Sequence, residues 1–191
     1  MSGPGSSPDP VEVVVAPVAG TAVDDPSLRD QLLDLWVAVT DAGGSVGFAA
    51  PADPTAIAAA LDAELALVRD GRHLLGVVRS DDRVIAVGYL WGRGNPLFAH
   101  WRTVMRLMVH PDHQGTGLGG RLLEGLHDLA RDDGCEHVVL SIRGGEGLES
   151  FYERHGYHEV GRHPGAVRMP DGTDRDEIMF LRPLPPGMLS R

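Results

Sequence analysis

The stretch Gln114-Gly115-Thr116-Gly117-Leu118-Gly119-Gly120 decides how this chain is read. It follows a β-rich run at residues 101–110 and opens a helical pattern whose apolar face is Leu118, Leu122, Leu126 and Leu129. Glycines between a strand and a helix let the backbone approach an anion with no Cβ in the way. The first N–H groups of the helix, at the positive end of its dipole, then face that anion. Arg121, just beyond, can add a charge-assisted contact. Gly115, Gly117 and Gly120 also satisfy the dinucleotide pattern G-x-G-x-x-G, but the context of that pattern is missing. Residues 110–114 separate the glycines from the strand, and the next strand ends at Arg143 where an acidic ribose binder belongs. Too little chain then remains for a second mononucleotide half.

A chain of 191 residues is long enough for one good core and predicts a single domain. Residues 1–10 are dominated by Ser, Gly and Pro and read as a disordered tail, residues 11–182 as the domain, and the proline-rich residues 183–191 as a C-terminal arm. No run approaches the roughly 18 apolar residues of a membrane span, and the N-terminus lacks the pattern of a signal peptide, so the expected location is cytoplasmic. A net charge of −10 argues against a nucleic acid or an anionic membrane as partner and favours small molecules. All 17 basic side chains are arginine, which removes the Walker lysine and Schiff-base chemistry. The lone Cys135 can form no intramolecular disulfide and reads as a space-filling residue. His110 and His113 meet no zinc template, so no metal is expected.

The order of elements can be read from start and stop signals. A strand is expected at residues 11–16. Asp25-Pro26 then caps a helix whose buried face is Leu28, Leu32, Leu35, Trp36 and Val39. Asp53-Pro54 repeats the signal before Ile57, Leu61, Leu65 and Val68, and Gly71 stops that helix. The β-rich runs 73–79 and 84–91 predict an antiparallel hairpin, followed by the strand at 101–110. Beyond the glycines come a helix to residue 133, a strand at 138–142, a helix at 146–155 and two short strands at 158–162 and 177–181. The fold class is α/β of the α+β kind: a mixed, mostly antiparallel twisted sheet of six to seven strands flanked by about four helices.

The run Leu107-Met108-Val109-His110-Pro111-Asp112-His113, continued by the glycine loop, resembles the core of the GNAT N-acetyltransferases, whose signature Q/R-x-x-G-x-G/A is filled by Gln114, Gly117 and Gly119. Phe151-Tyr152-Glu153-Arg154-His155-Gly156-Tyr157 resembles a later stretch of that family, with Tyr157 in place of Phe. Residues 45–48, 164–166 and 170–172 carry a further likeness to the tabtoxin-resistance type of small-molecule acetyltransferase. One departure stands out: an Asn that often contacts the coenzyme arm is Gly145 here.

The resemblance implies that acetyl-CoA, the acyl donor, rests its pyrophosphate on residues 115–120 and pairs its pantetheine arm with the backbone of Leu107, Met108 and Val109. The implied cofactor-binding set is therefore Leu107, Met108, Val109, Gln114, Gly115, Thr116, Gly117, Leu118, Gly119, Gly120 and Arg121. A backbone N–H near Met108 or Val109 would polarise the thioester, and Tyr152 would give a proton to the departing thiolate. The general base stays open among His100, Thr103, Asp174, Asp176 and Glu177. The acceptor is expected to be a small-molecule primary amine. A protein or peptide amine, and a non-catalytic acyl-CoA sensor, remain as alternatives, and the family allows a homodimer.

Overall fold

The structure, a computed structural model, describes residues 14–185. The expected tail at residues 1–10 and the last six residues lie outside them. The chain order is β1 (Ala16–Val18), α1 (Pro26–Asp41), α2 (Pro54–Arg69), β2 (His73–Ser80), β3 (Arg83–Trp91), β4 (Trp101–Val109), α3 (Leu118–Asp132), β5 (His137–Arg143), α4 (Glu149–Arg154), β6 (His158–Arg168) and β7 (Asp174–Pro183). The expected sheet and helix count are both met.

The helix boundaries fall where side-chain and glycine signals put them. Asp25 accepts a hydrogen bond from Ser27 N at 2.9 Å, and Asp53 accepts from Thr55 N and Ala56 N. These bonds satisfy N–H groups that the helices leave unpaired. At the far end of α2, Gly71 takes a left-handed φ of 71°. That conformation lets Gly71 N reach Val68 O and Arg72 N reach Leu67 O, the paired bonds of a Schellman motif.

All seven strands form one sheet in the order β1-β2-β3-β4-β5-β7-β6. Among the described residues only β4 and β5 run parallel, and they pair over three positions alone, Trp101–Thr103 against residues 137–139. Beyond Thr103 no β4 residue has a partner in β5, so the two strands part and the sheet opens at its centre. Each face has its own core. Leu122, Leu123 and Leu126 of α3 pack with Leu140, Ile178 and Phe180 on one side, and α1 with α2 covers Leu75, Val87, Tyr89 and Met108 on the other.

Four boundaries differ from the sequence reading. The first strand begins at Ala16 instead of residue 11, and residues 11–13 lie outside the described part. The fourth helix starts at Glu149 instead of 146, because Gly145 and Gly147 both take left-handed φ values, 82° and 72°, which interrupt a helix. β6 and β7 extend the two short strands into a long hairpin closed by Met169 N→Thr173 O at 2.8 Å. Leu184 was placed in the trailing arm, yet it is buried and its N–H reaches Glu136 O, so the body of the domain runs past residue 182.

Candidate active site

The gap between β4 and β5 opens into a cleft of about 960 Å³. The N-terminus of α3 lies at one end. Gly115 and Gly117 hold φ values of 74° and 81°, which only glycine adopts at low cost. No side chain caps the helix, and its first backbone bond runs from Arg121 N to Gly117 O. The N–H groups of Leu118, Gly119 and Gly120 therefore have no acceptor within the helix. A Cβ on Gly119 would fall 3.7 Å from Val109 Cγ2, and one on Gly120 would press into the His155 ring at 2.8 Å. The missing side chain at Gly120 lets the helix start close on His155 at the end of α4, whereas position 119 has room for a Cβ. The arrangement is a cradle of unpaired donors suited to phosphate oxygens.

The loop is fastened to the strand end. Gln114 Nε2 donates to Val109 O at 3.0 Å, and Thr116 Oγ1 donates to His113 O at 2.7 Å. His110 N donates to Ile85 O, so the antiparallel alternation turns the peptide groups of Val109 away from β3 and into the gap. Leu107 and Val109 line the cleft together with Gln114, Gly115, Gly117, Gly119 and Gly120. Met108, Thr116, Leu118 and Arg121 do not. Met108 is the register partner of Val87 and its side chain is buried under α1 and α2, Leu118 is buried in the α3 core, and Thr116 is held by its own turn. The contacts that the resemblance implies at these four positions would be made by the main chain, apart from that of Arg121.

Tyr152 projects from α4 into the cleft and is buried against Phe151, Tyr157 and Phe180. Burial pushes its phenol up to about 12, so it stays protonated throughout the neutral range. At the other end of the cleft the α1–α2 loop and the β6–β7 hairpin face each other through Phe48, Met169 and Pro170. Trp36 Nε1 donates to Val46 O at 3.1 Å and fixes that loop from beneath. Ser45 Oγ lies 2.8 Å from both Glu146 oxygens, which ties the α1–α2 loop to the β5–α4 turn. Arg143 pairs with the same carboxylate.

Of the candidate bases, the structure brings only Glu177 to the cleft. Asp174 is paired with Arg168, and Asp176 with Arg162 and Gly165 N. His100 packs on His137 where β4 and β5 are still joined, and Thr103 is the last residue of that joined segment. Glu177 alternates with buried Ile178, so it faces away from the α3 core, on the side where the α1–α2 loop closes the cleft.

Comparison with known proteins agrees with this architecture. Residues 70–159 match the acetyltransferase (GNAT) domain family. The L-amino acid N-acyltransferase MnaT of Escherichia coli (strain K12) is 36% identical over 91 residues, 42% of this chain and 46% of that protein. The chain thus matches about half the length of this curated relative. Among solved structures, a GNAT-family acetyltransferase from Streptococcus pneumoniae superposes with a TM-score of 0.70 at 12% identity, covering 90% of this chain and 99% of the other. An aminoglycoside 6'-N-acetyltransferase complexed with coenzyme A gives 0.67 at 17% identity, covering 86% and 94%.

Two features of this domain escaped the sequence reading. One is the setting of Tyr157, where the family stretch has Phe. Its hydroxyl lies 2.8 Å from Nε2 of fully buried His127, and Glu124 and Arg182 flank the other side of that imidazole. Burial, then the charge of Arg182, lowers His127 to about 4 from an ordinary 6.5. The unfolded chain takes up this proton near pH 6.5 while the folded one resists it, so stability is full above 6.5 and falls as pH drops towards 4. The loss expected from His127 is roughly 3 kcal/mol. Urea unfolding at pH 7 and pH 4.5 should show it, and His127→Gln should flatten that slope. The other feature is a buried Glu64. It falls three residues after Leu61 on the apolar stripe of α2, a position whose charge was itself the signal of a buried partner.

Proposed function

We propose that this chain is an N-acetyltransferase that moves an acetyl group from acetyl-CoA to the primary amine of a small molecule. The parted β4 and β5, with uncapped donors at one end and a walled pocket at the other, carry this reading. The residues present fit the donor. The N–H groups of residues 118–120 meet its pyrophosphate, Gly115 and Gly117 leave room for it, and the Val109 edge of β4, whose carbonyl also holds Gln114 Nε2, faces its pantetheine arm as an added strand would. The Val109 N–H also polarises the thioester oxygen as negative charge builds there. Gly145 offers no side chain for the arm, so the main-chain contacts take its place.

Acetyl-CoA supplies an activated acyl carbon. The neutral amine attacks it, the new C–N bond forms and the C–S bond breaks. Tyr152 directs its hydroxyl hydrogen at the departing sulfur. A phenol near 12 transfers its proton to a thiolate only in part, so the hydrogen bond itself does most of the stabilising. Glu177 receives the proton that the amine sheds, directly or through one water. The tie between Ser45 and Glu146 favours a small acceptor, because it bridges the groove that an extended peptide would need to cross. The apolar wall of Val39, Phe48, Met105 and Met169 suits an amine with a hydrophobic body, such as an amino acid.

The test is a screen of primary amines, with amino acids and short peptides included, for thiol release that depends on acetyl-CoA. Small amines should be turned over faster than peptides. Glu177→Gln should lower kcat/KM for the best of them about 100-fold and leave acetyl-CoA affinity unchanged. Faster turnover of peptides would refute the small-molecule reading. A kcat/KM within twofold of wild type in Glu177→Gln would remove that residue from the proton path.

A further inference from the structure

We infer that Glu64 of α2 and Arg106 of β4 form a clamp that holds the bulge in β4, and that both are positioning residues for acetyl-CoA, a role that rests on the reading above. In β4 the pairing with β3 skips from Val87↔Met108 to Tyr89↔Met105, so Gly88 faces two residues, Arg106 and Leu107. This is a β-bulge, and it shifts the phase of the strand. Val104, Leu107 and Val109 pack on the α3 side, whereas Met105 and Met108 pack under α1 and α2. Arg106 also reaches the α1–α2 side, next to Met105, which breaks the alternation of an unbulged strand. Without that extra residue, the segment from 107 onwards would turn its other face to the cleft.

Arg106 bears the cost of the bulge. Its φ is 49°, a left-handed value that a residue with a Cβ avoids. Its side chain supplies what holds it there. The guanidinium lies 4.4 Å from the Trp36 ring centre and 5.0 Å from that of Trp91, between two indoles. Arg106 Nη1 is 2.7 Å from Glu64 Oε1 in an ion pair, and among the described residues this nitrogen has no hydrogen-bond partner of good geometry. Glu64 Oε2 is 3.1 Å from His73 Nδ1, and the His73 ring stacks on Trp91 at 5.1 Å. Burial raises the Glu64 carboxyl, but His73 and Arg106 outweigh it and leave Glu64 below its usual range. A carboxylate this buried would be strongly destabilising without its cation. The pair therefore enforces the position of Arg106, and through it the direction in which Leu107 and Val109 present their peptide groups. Opposite the bulge, Gly88 leaves the space that Leu126 fills, since a Cβ there would meet Leu126 Cδ1 at 2.5 Å.

Two measurements on the full chain test the clamp, with Arg106→Ala, Arg106→Gly and Glu64→Gln beside the wild type. In ligand-free protein, amide hydrogen exchange at residues 104–108 should speed up about tenfold in Arg106→Ala and Glu64→Gln, with the β6–β7 hairpin unchanged. In calorimetric titration, acetyl-CoA affinity should fall about tenfold in Arg106→Ala and by less in Arg106→Gly, because glycine takes the left-handed φ without strain. A side chain that merely fills the core would lower stability in both variants but leave exchange at residues 104–108 and the acetyl-CoA affinity of the folded protein close to wild type. Unchanged exchange at residues 104–108, or Gly no better than Ala, would overturn the clamp. Failure of the wild type to bind acetyl-CoA would instead overturn the functional reading, and the exchange data would still decide whether the clamp holds the bulge.

Discussion

Turnover by Tyr152→Phe is expected to be about 100-fold below wild type, with acetyl-CoA affinity within twofold. The substitution removes one oxygen and leaves the ring, and the ring makes the contacts with Phe151, Tyr157 and Phe180. Packing, and with it the position of α4, should therefore be kept. Only the hydrogen offered to the departing sulfur is lost. That contact strengthens as charge builds on sulfur, so its loss appears in kcat and not in ground-state binding. Because burial holds the Tyr152 phenol near 12, the shape of the pH profile below pH 9 should not change. A kcat within twofold of wild type would exclude Tyr152 from the chemistry and reduce it to a wall of the pocket.

Gly117→Glu is expected to weaken acetyl-CoA binding at least about 100-fold, equivalent to about 2.7 kcal/mol. A carboxylate at the N-cap of α3 lies where phosphate oxygens would lie, and a like charge at a few ångströms accounts for that loss. It can also accept from the free N–H groups itself, filling the cradle from within the chain. That capping offsets part of the strain of a Cβ at a φ of 81°, so the variant should still fold. Gly117→Asn separates the two effects. Asn tolerates the left-handed conformation and carries no charge, so it should bind more tightly than the Glu variant. Equal losses in the two variants would point to loop geometry and not to an anion site.

The elements with local chemical signals were legible in the sequence, and those set by long-range contacts were not. Asp25-Pro26 and Asp53-Pro54 mark helix starts because an Asp side chain and a proline act within one turn, and both starts are where they were expected. The glycine loop was legible for the same reason, since the left-handed conformations at 115 and 117 cost glycine least whatever surrounds them. The bulge at Arg106 has no local signature. It exists because a carboxylate 42 positions earlier sits across from it, and only an arginine inside the apolar run 104–109 hinted at that. The length of the β6–β7 hairpin was missed because the residues that extend it, 163–168 and 174–176, are largely exposed and show no alternation. Choosing Glu177 over Asp174 and Asp176 depended on which carboxylates already had partners, Arg168 and Arg162, which spacing does not reveal.

The most direct test of the account is calorimetric titration of the purified full chain with acetyl-CoA. Binding at one site per chain, with desulfo-CoA binding similarly and free adenosine far more weakly, is the predicted result, because the contacts assigned here fall on the pyrophosphate and the pantetheine arm. Absence of acetyl-CoA binding by folded protein would contradict the account and leave the start of α3 as a site for some other anion.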